Sequence, residues 1–239
     1  MNFHQLLHDV VRDTLSTSLP AVRPELTVCA TIVLLLLVRM LVPGCRSIVY
    51  YVMLFGTATA LWLAIPWQGI AASGEATPLF TGMLVSDSFS ISLRVLLLVF
   101  VLLYIGFTRV SGVPDPDDAA EFYILVLGAT LGMCLMISAN HLVIILLGIE
   151  MASVPSYVLA GFRRQHRDSS EAALKYAVYG AGAAGVMLYG LSLLAGALGS
   201  AHLPTMARNL AALLQSGGGT DHYVVLVLGG LMLMVGLAF

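Results

Sequence analysis

The amino-acid sequence predicts an all-α, polytopic integral membrane protein. Of its 239 residues, 59% are hydrophobic and only 10% are charged, whereas soluble globular domains carry about a quarter charged residues. The apolar residues fall into runs of about 20, the length that an α-helix needs to cross a bilayer core. With 11 Lys and Arg against 13 Asp and Glu, the chain lacks the basic footprint that nucleic-acid binding requires.

Seven such runs predict about seven transmembrane helices. They cover residues 25–43, 47–66, 84–107, 119–138, 140–161, 170–197 and 222–239. The breaks between them carry residues typical of turns, including Pro43-Gly44, the acidic stretch 114–118 and Gly217-Gly218-Gly219. We therefore divide the chain into an N-terminal segment (1–22), helices one to three (23–118) and helices four to seven (119–239).

The first 20 residues lack the basic start and the continuous apolar core of a secretory signal. Apolar residues instead recur at helical spacing, at Phe3, Leu6, Leu7, Val10 and Val11. This pattern predicts a short amphipathic helix lying in the membrane interface. A frayed terminus is the alternative.

The distribution of arginines predicts the orientation of the chain in the membrane. One side collects Arg39, Arg46, Arg109, Arg163, Arg164 and Arg167, and the other collects Arg12, Arg23 and Arg208. Because basic loops stay in the cytoplasm, the N-terminus is predicted outside a bacterial-type inner membrane. The seventh run reaches Phe239 without a cap or a polar tail, so we expect the natural polypeptide or a partner to continue.

Glu150 lies near the middle of the fifth predicted span, where a charge costs roughly 2.5–3.5 kcal/mol on insertion scales. It is either a hydrogen-bonded glutamate buried between helices or a carboxylate that relays protons or ions. Pro155 removes a backbone hydrogen bond to the carbonyl of Met151, so a helix break there would open a hydrated cavity. Ser153 lies on the same helix face as Glu150.

Lys175 is the only lysine in the sequence. It follows Glu171 by four residues, which favours a surface ion pair, but an inward orientation would make it a proton carrier. Arg94, in the third span, either reaches the interface or pairs with Asp87. Glu25 suits a helix N-terminus, and His141 suits a surface or interface position.

No cofactor or metal site is predicted within this chain. Residues 180–185 match G-x-G-x-x-G, but they lie inside a membrane span rather than between a strand and a helix, so they indicate helix packing. Cys29, Cys45 and Cys134 stand far apart and form no metal-binding or disulfide pattern.

Several strings in the second half resemble the antiporter-like membrane subunits of respiratory complex I (NADH-quinone oxidoreductase), and above all its subunit N family. The strings are Glu121-Phe122-Tyr123, Thr130-Leu131-Gly132-Met133, Ser138-Ala139-Asn140, Leu147-Gly148-Ile149-Glu150-Met151, Ser153-Val154-Pro155-Ser156-Tyr157-Val158-Leu159 and Ser170-Glu171-Ala172-Ala173-Leu174-Lys175-Tyr176. Pro24-Glu25-Leu26 and Asp87-Ser88-Phe89 also fit. The resemblance is strong over about 119–196 and weaker elsewhere.

This resemblance implies the first half of a fourteen-helix fold with two inverted repeats. It assigns Glu150 to a fifth-helix glutamate that pairs with a lysine of the seventh helix, and Lys175 to a further lysine of the sixth. His141 stands where the family often has an acidic residue. NADH, FMN, iron–sulfur clusters and quinone are implied in other subunits. The seventh-helix lysine and the second repeat would lie beyond Phe239, so this chain alone would not contain a complete proton path.

We therefore expect a membrane-arm subunit that contributes a buried Glu/Lys proton relay, driven by quinone reduction elsewhere in the complex. Its expected partners are the lipid bilayer, the other membrane-arm subunits and the missing C-terminal half. A subunit of a multi-protein cation/proton antiporter or of a membrane-bound hydrogenase is the alternative. A truncated scaffold that does not transport is another.

Overall fold

A computed structural model describes residues 11–41, 46–65, 76–112, 118–163, 166–215 and 220–239. Its described N-terminal residues are helical, with a π-helical turn at Thr14–Ser18 followed by Leu19–Ala21. Most of the apolar positions of the predicted interfacial helix, from Phe3 to Val10, lie outside the described residues.

The described residues contain eight longer helices and one short hairpin. The helices are α1 (Arg23–Leu41), α2 (Arg46–Ala64), α3 (Ser88–Ser111), α4 (Ala119–Ile137), α5 (Leu142–Ala160), α6 (Arg167–Leu198), α7 (Leu203–Gln215) and α8 (Thr220–Ala238). The hairpin pairs strand β1 (Thr77–Leu79) antiparallel with β2 (Leu84–Ser86).

The prediction of about seven membrane helices is confirmed. Within the described ranges, α1 to α6 are long and apolar enough to cross a bilayer, and α8 adds a shorter apolar stretch, Tyr223–Ala238. The turn between the fourth and fifth spans lies at residues 138–141, as predicted. The loops at Pro43-Gly44 and Gly217-Gly218-Gly219 lie outside the described residues.

The predicted start of the third span, at residue 84, is wrong. Leu84–Ser86 form β2, and α3 begins at Ser88 and continues to Ser111. Asp87 stops the strand because its carboxylate accepts a hydrogen bond from the Ser90 backbone at 2.7 Å, while the Ser90 hydroxyl accepts one from the Asp87 backbone at 3.0 Å. This capping box satisfies the first amides of α3.

The helices bury two separate groups of apolar side chains. In the first group, α1 to α4 enclose Leu35, Met53, Leu98, Ile105 and Leu127, all fully buried. In the second, α5 to α8 enclose Leu142, Met187, Leu191, Leu198 and Met206. The chain therefore folds as two helix clusters that meet where α4 packs against α5.

Sequence analysis missed the amphipathic helix α7. Its apolar residues Leu203, Met206, Leu210 and Leu213 pack against the second core, whereas Arg208 is exposed. Their spacing of three and four residues is the helical signal that predicts such a helix. At 13 residues, α7 is too short to cross a bilayer.

Glycines bring α4 and α5 into backbone contact. A Cβ atom at Gly132 would lie 2.6 Å from the Ala152 nitrogen and 2.7 Å from the Gly148 oxygen. Without side chains between them, the two helices approach closely, as small residues permit in membranes. The contact falls on the stretch of α5 that contains Glu150, so it fixes the position of that residue.

Replacing Gly132 with alanine should destabilise the protein, because the added methyl group meets the α5 backbone rather than a movable side chain. We expect a loss of about 1–3 kcal/mol, the usual cost of overpacking. Thermal unfolding in detergent measures it. Gly182→Ala is the matched control, since that Cβ would meet nothing within 4 Å; equal stability of the two variants would contradict the packing account.

Candidate functional site

Glu150 lies on the wall of a cavity of about 270 Å³ in the second helix cluster. We call this space the Glu150 cavity. Its wall also contains residues of α4, α5, α6 and α8 and the adjoining Phe239, namely Met136, Ile145, Ile149, Ser153, Tyr157, Tyr176, Gly180, Ala183, Ala184, Met187, Gly236, Leu237 and Phe239. A partly buried carboxylate thus borders an open space between packed helices.

The cavity wall is apolar apart from a short row of polar side chains. Glu150, Ser153 and Tyr157 follow each other at intervals of three and four residues and so share one face of α5. Tyr176 adds a phenol from α6. Since one water takes up about 30 Å³, a space of this size has room for several, and polar groups are what retain water in a cavity.

Aromatic rings and a glycine shape one wall of the cavity. The rings of Tyr157 and Tyr176 meet edge to face with centroids 4.6 Å apart, and Tyr176 lies 5.6 Å from Phe239. Gly180 leaves room for Tyr157, because a Cβ there would collide with the phenol. Sequence analysis did not single out these tyrosines, although Tyr157 repeats the helical spacing of Glu150 and Ser153.

Pro155 lies within α5, on the side of that helix that faces α4. Helix α5 continues through it to Ala160, and Pro155 is absent from the residues that line the Glu150 cavity. Its ring lies beside α4, 3.5 Å from the Cβ position of Gly128. The helix thus has no break at Pro155, and the hydration expected there stays a prediction.

Lys175 lies on the outer surface of α6. Its Nζ atom is 2.6 Å from Oε1 of Glu171, and the two side chains are 61% and 56% exposed. This is the surface ion pair that the spacing of four residues favoured. Lys175 is not among the residues that line the Glu150 cavity, so the structure does not bring the two proposed relay residues together.

Glu25 and Arg94 form a buried ion pair that sequence analysis missed. Arg94 Nε lies 2.7 Å from Glu25 Oε1, and both side chains are 4% exposed. The alternatives considered for Arg94, an interface position and a pair with Asp87, are both wrong, because Asp87 caps α3 instead. Two lone opposite charges in apolar helices were the available signal, since such residues usually pair.

A polar junction joins three connections at one end of the helices. We define it as Gly82 of the hairpin, Asn140 of the α4–α5 turn, and His202 and Thr205 near the start of α7. The Asn140 amide donates to the Gly82 carbonyl and meets His202 Nε2, both at 3.1 Å, and His202 Nδ1 lies 3.0 Å from the Thr205 hydroxyl.

Backbone hydrogen bonds reinforce this junction. The Asn140 nitrogen donates to Met83 at 2.9 Å, and Leu203 donates to Asn140 at 3.1 Å. The predicted topology places the hairpin, the α4–α5 turn and the segment before α7 on one side of the membrane. In the structure these three connections contact each other. His141 lies beside the junction and caps α5, where its Nδ1 accepts a hydrogen bond from Val143 at 3.3 Å.

Residues 139–239 match the family model described as NADH:quinone oxidoreductase/Mrp antiporter, TM. This segment is therefore similar to that family. The match begins at the α4–α5 turn, so it covers the second helix cluster together with the Glu150 cavity. The predicted resemblance is thereby confirmed for the part of the chain that holds the candidate site.

Relatives extend the similarity beyond this family segment. NADH-quinone oxidoreductase subunit N of Nitrosomonas europaea is 37% identical over 70% of this chain and 34% of its own length. F(420)H(2) dehydrogenase subunit N of Methanosarcina mazei is 35% identical over 86% of this chain and 42% of its own. The chain thus spans less than half the length of these curated relatives.

A solved structure shares the fold. Respiratory complex I from Thermus thermophilus with bound aureothin contains a chain that is 30% identical and superposes with a TM-score of 0.67. The match covers 90% of this chain and 43% of that one. The described helices therefore have the arrangement of an antiporter-like membrane subunit.

Replacing Asn140 with alanine should loosen the hairpin, because the side-chain amide bonds two other connections at once. We expect a loss of roughly 1–3 kcal/mol, the usual cost of leaving buried polar partners unsatisfied, and faster proteolysis of the hairpin in membranes. His141→Ala is the control, since it removes a single exposed capping bond. Equally fast cleavage of the two variants would contradict the role given to Asn140.

Proposed function

We propose that this chain is part of an antiporter-like membrane-arm subunit, in which Glu150 takes up and releases protons during transport. The single observation that carries the proposal is a glutamate on the wall of a cavity between packed membrane helices, within the segment that matches the antiporter family. Electron transfer to quinone in other subunits would supply the driving force.

The geometry of the cavity supports a role in proton movement. A carboxylate within a low-dielectric bundle responds strongly to nearby charges, so moving a cationic partner toward it or away from it changes its proton affinity. Ser153 and Tyr157 offer hydroxyls along the same helix face, and waters between them would complete a hydrogen-bonded chain. The resemblance implies that a seventh-helix lysine is the cationic partner.

The electron donor of the whole complex is also a proposal. The relatives include subunits of an NADH-quinone oxidoreductase and of an F(420)H(2) dehydrogenase. We propose NADH and quinone for the complex that contains this chain, an inner-membrane location and an N-terminus outside. Copurification with NADH-oxidising and quinone-binding subunits would support this assignment.

Replacing Glu150 with glutamine in the full-length protein should abolish most proton translocation, because glutamine keeps the shape but cannot exchange a proton. We expect a loss of about ten-fold or more in the initial rate, since a positioned proton-transferring side chain usually contributes at least that much. Quenching of a pH-sensitive dye in native membrane vesicles, with assembly checked on native gels, measures it.

Glu121→Gln is the matched control, since Glu121 pairs with Arg39 at 3.4 Å at the surface; it should retain translocation. Unchanged pumping by an assembled Glu150→Gln variant would overturn the relay and favour a scaffold that only packs against its neighbours.

A cation/proton antiporter is the second candidate, because the matching family description also names Mrp antiporters. The two candidates differ in what drives transport. Sodium-dependent proton movement without NADH oxidation would favour the antiporter, whereas translocation that requires electron flow would favour the respiratory complex. Glu150→Gln is expected to impair transport in either case.

A variant of Lys175 tests whether this residue is the second member of the proton relay that the sequence suggested. The Lys175 ammonium pairs with Glu171 at the surface, and exposed ion pairs contribute about 0–1 kcal/mol to stability. We therefore expect the Lys175→Met and Glu171→Gln variants to pump protons within about two-fold of the wild type. Parallel vesicle assays compare them. A severe loss confined to Lys175→Met would return Lys175 to the relay.

A further inference from the structure

The Glu25–Arg94 ion pair lies outside the Glu150 cavity and serves none of the steps proposed for it. Glu25 is in the first turn of α1, and Arg94 lies about 9 Å along the axis of α3 from Ser88, at 1.5 Å per residue. Both are enclosed by the first helix cluster, with side chains 4% exposed. In the described part of the chain, neither oxygen of the Glu25 carboxylate nor Arg94 Nε has a hydrogen-bond partner, so the two charges are compensated by the ion pair alone.

The pair bridges two helices that do not otherwise pack closely. In the described residues, α1 packs against α2 and α4, and α3 packs against α2 and α4, whereas α1 and α3 make no extended contact with each other. Because α2 and α4 also contact each other, α1 and α3 lie on opposite sides of the α2–α4 pair. The 2.7 Å ion pair joins α1 to α3.

We propose that Glu25 and Arg94 form a strut across the first helix cluster, and that α3 takes its place in the membrane only when the charge of Arg94 is compensated from α1 by Glu25. An arginine cannot lose its proton in a protein, so its charge has to be compensated within the bundle. Glu25 supplies that compensation from a helix that is inserted earlier in the chain. The pair positions helices and takes no part in transport.

The chemistry of the two groups predicts an unequal response to their removal. Without Arg94, the glutamate can bind a proton and become neutral. Without Glu25, the guanidinium stays charged in the interior. Removing both charges leaves an apolar contact, and replacing a buried pair by apolar residues of similar volume is often neutral or stabilising. Assembly therefore requires that a charged Arg94 has a neutralising partner, and it does not require the two charges once both are removed.

The experiment compares Glu25→Leu, Arg94→Met and the double variant in the full-length protein within its native membranes. The readouts are the amount of protein assembled into the complex and the proton translocation per assembled complex. We expect Glu25→Leu to lower the amount of assembled protein several-fold, because proteases in the cell remove a destabilised protein. Arg94→Met should lower it less, and the double variant should assemble and pump within about two-fold of the wild type.

Arg39→Met with Glu121→Leu is the control, because this pair joins α1 and α4 at the surface, with side chains 40% and 38% exposed. It should change assembly little. The strut is overturned if the double variant assembles as poorly as Glu25→Leu, if Arg94→Met is the more damaging single change, or if neither single change matters. It is also overturned if the double variant assembles but no longer pumps, since the charges themselves would then serve transport.

Discussion

The hydrocarbon core of a bilayer offers no hydrogen-bond partners, and this constraint governs both the fold and the site. Every backbone amide has to be satisfied within a helix, which explains why an apolar chain of this length becomes a bundle. Charges inside the bundle need partners for the same reason. Arg94 has such a partner in Glu25, with which it forms an ion pair. Glu150 lies instead on the wall of a cavity between helices.

Close helix packing is the second physical basis of the site. Lipid gives no hydrophobic driving force between helices, so they associate where small residues allow many contacts. Gly132 does this between α4 and α5, and Gly190 does it between α6 and α8, where a Cβ would lie 2.7 Å from the Gly229 carbonyl. These two contacts hold the helices around the Glu150 cavity, whose wall contains residues from all four of them. The glycines thus set the dimensions of the site without lining its polar face.

The fold could be predicted from sequence to the extent that apolar run length determines it. Six spans agree with the described helices to within three residues. The third span differs at its start because Leu84 and Val85 are as apolar as a helix, and only the capping box of Asp87 with Ser90 separates strand from helix. Helix α7 has too few apolar residues to be predicted as a transmembrane helix, although the spacing of those residues is typical of an amphipathic helix.

The candidate site was predictable only in part. Glu150 stood out because a lone acid in an apolar run is costly. Its cavity depends on how α5, α6 and α8 pack, which no local pattern contains. The Lys175–Glu171 pair followed from spacing within one helix. The Glu25–Arg94 pair joins residues far apart in the chain, so the sequence offered only the two unpaired charges as a sign of it.

The central claim is that the carboxyl group of Glu150 gains and loses a proton as the complex works. Infrared difference spectroscopy of native membranes, recorded between the resting and turning-over states, observes carboxyl protonation directly. The claim predicts a carboxylic C=O band that changes on turnover, disappears in Glu150→Gln and persists in Glu121→Gln. A difference spectrum that is identical in the wild type and in an assembled Glu150→Gln variant would contradict it.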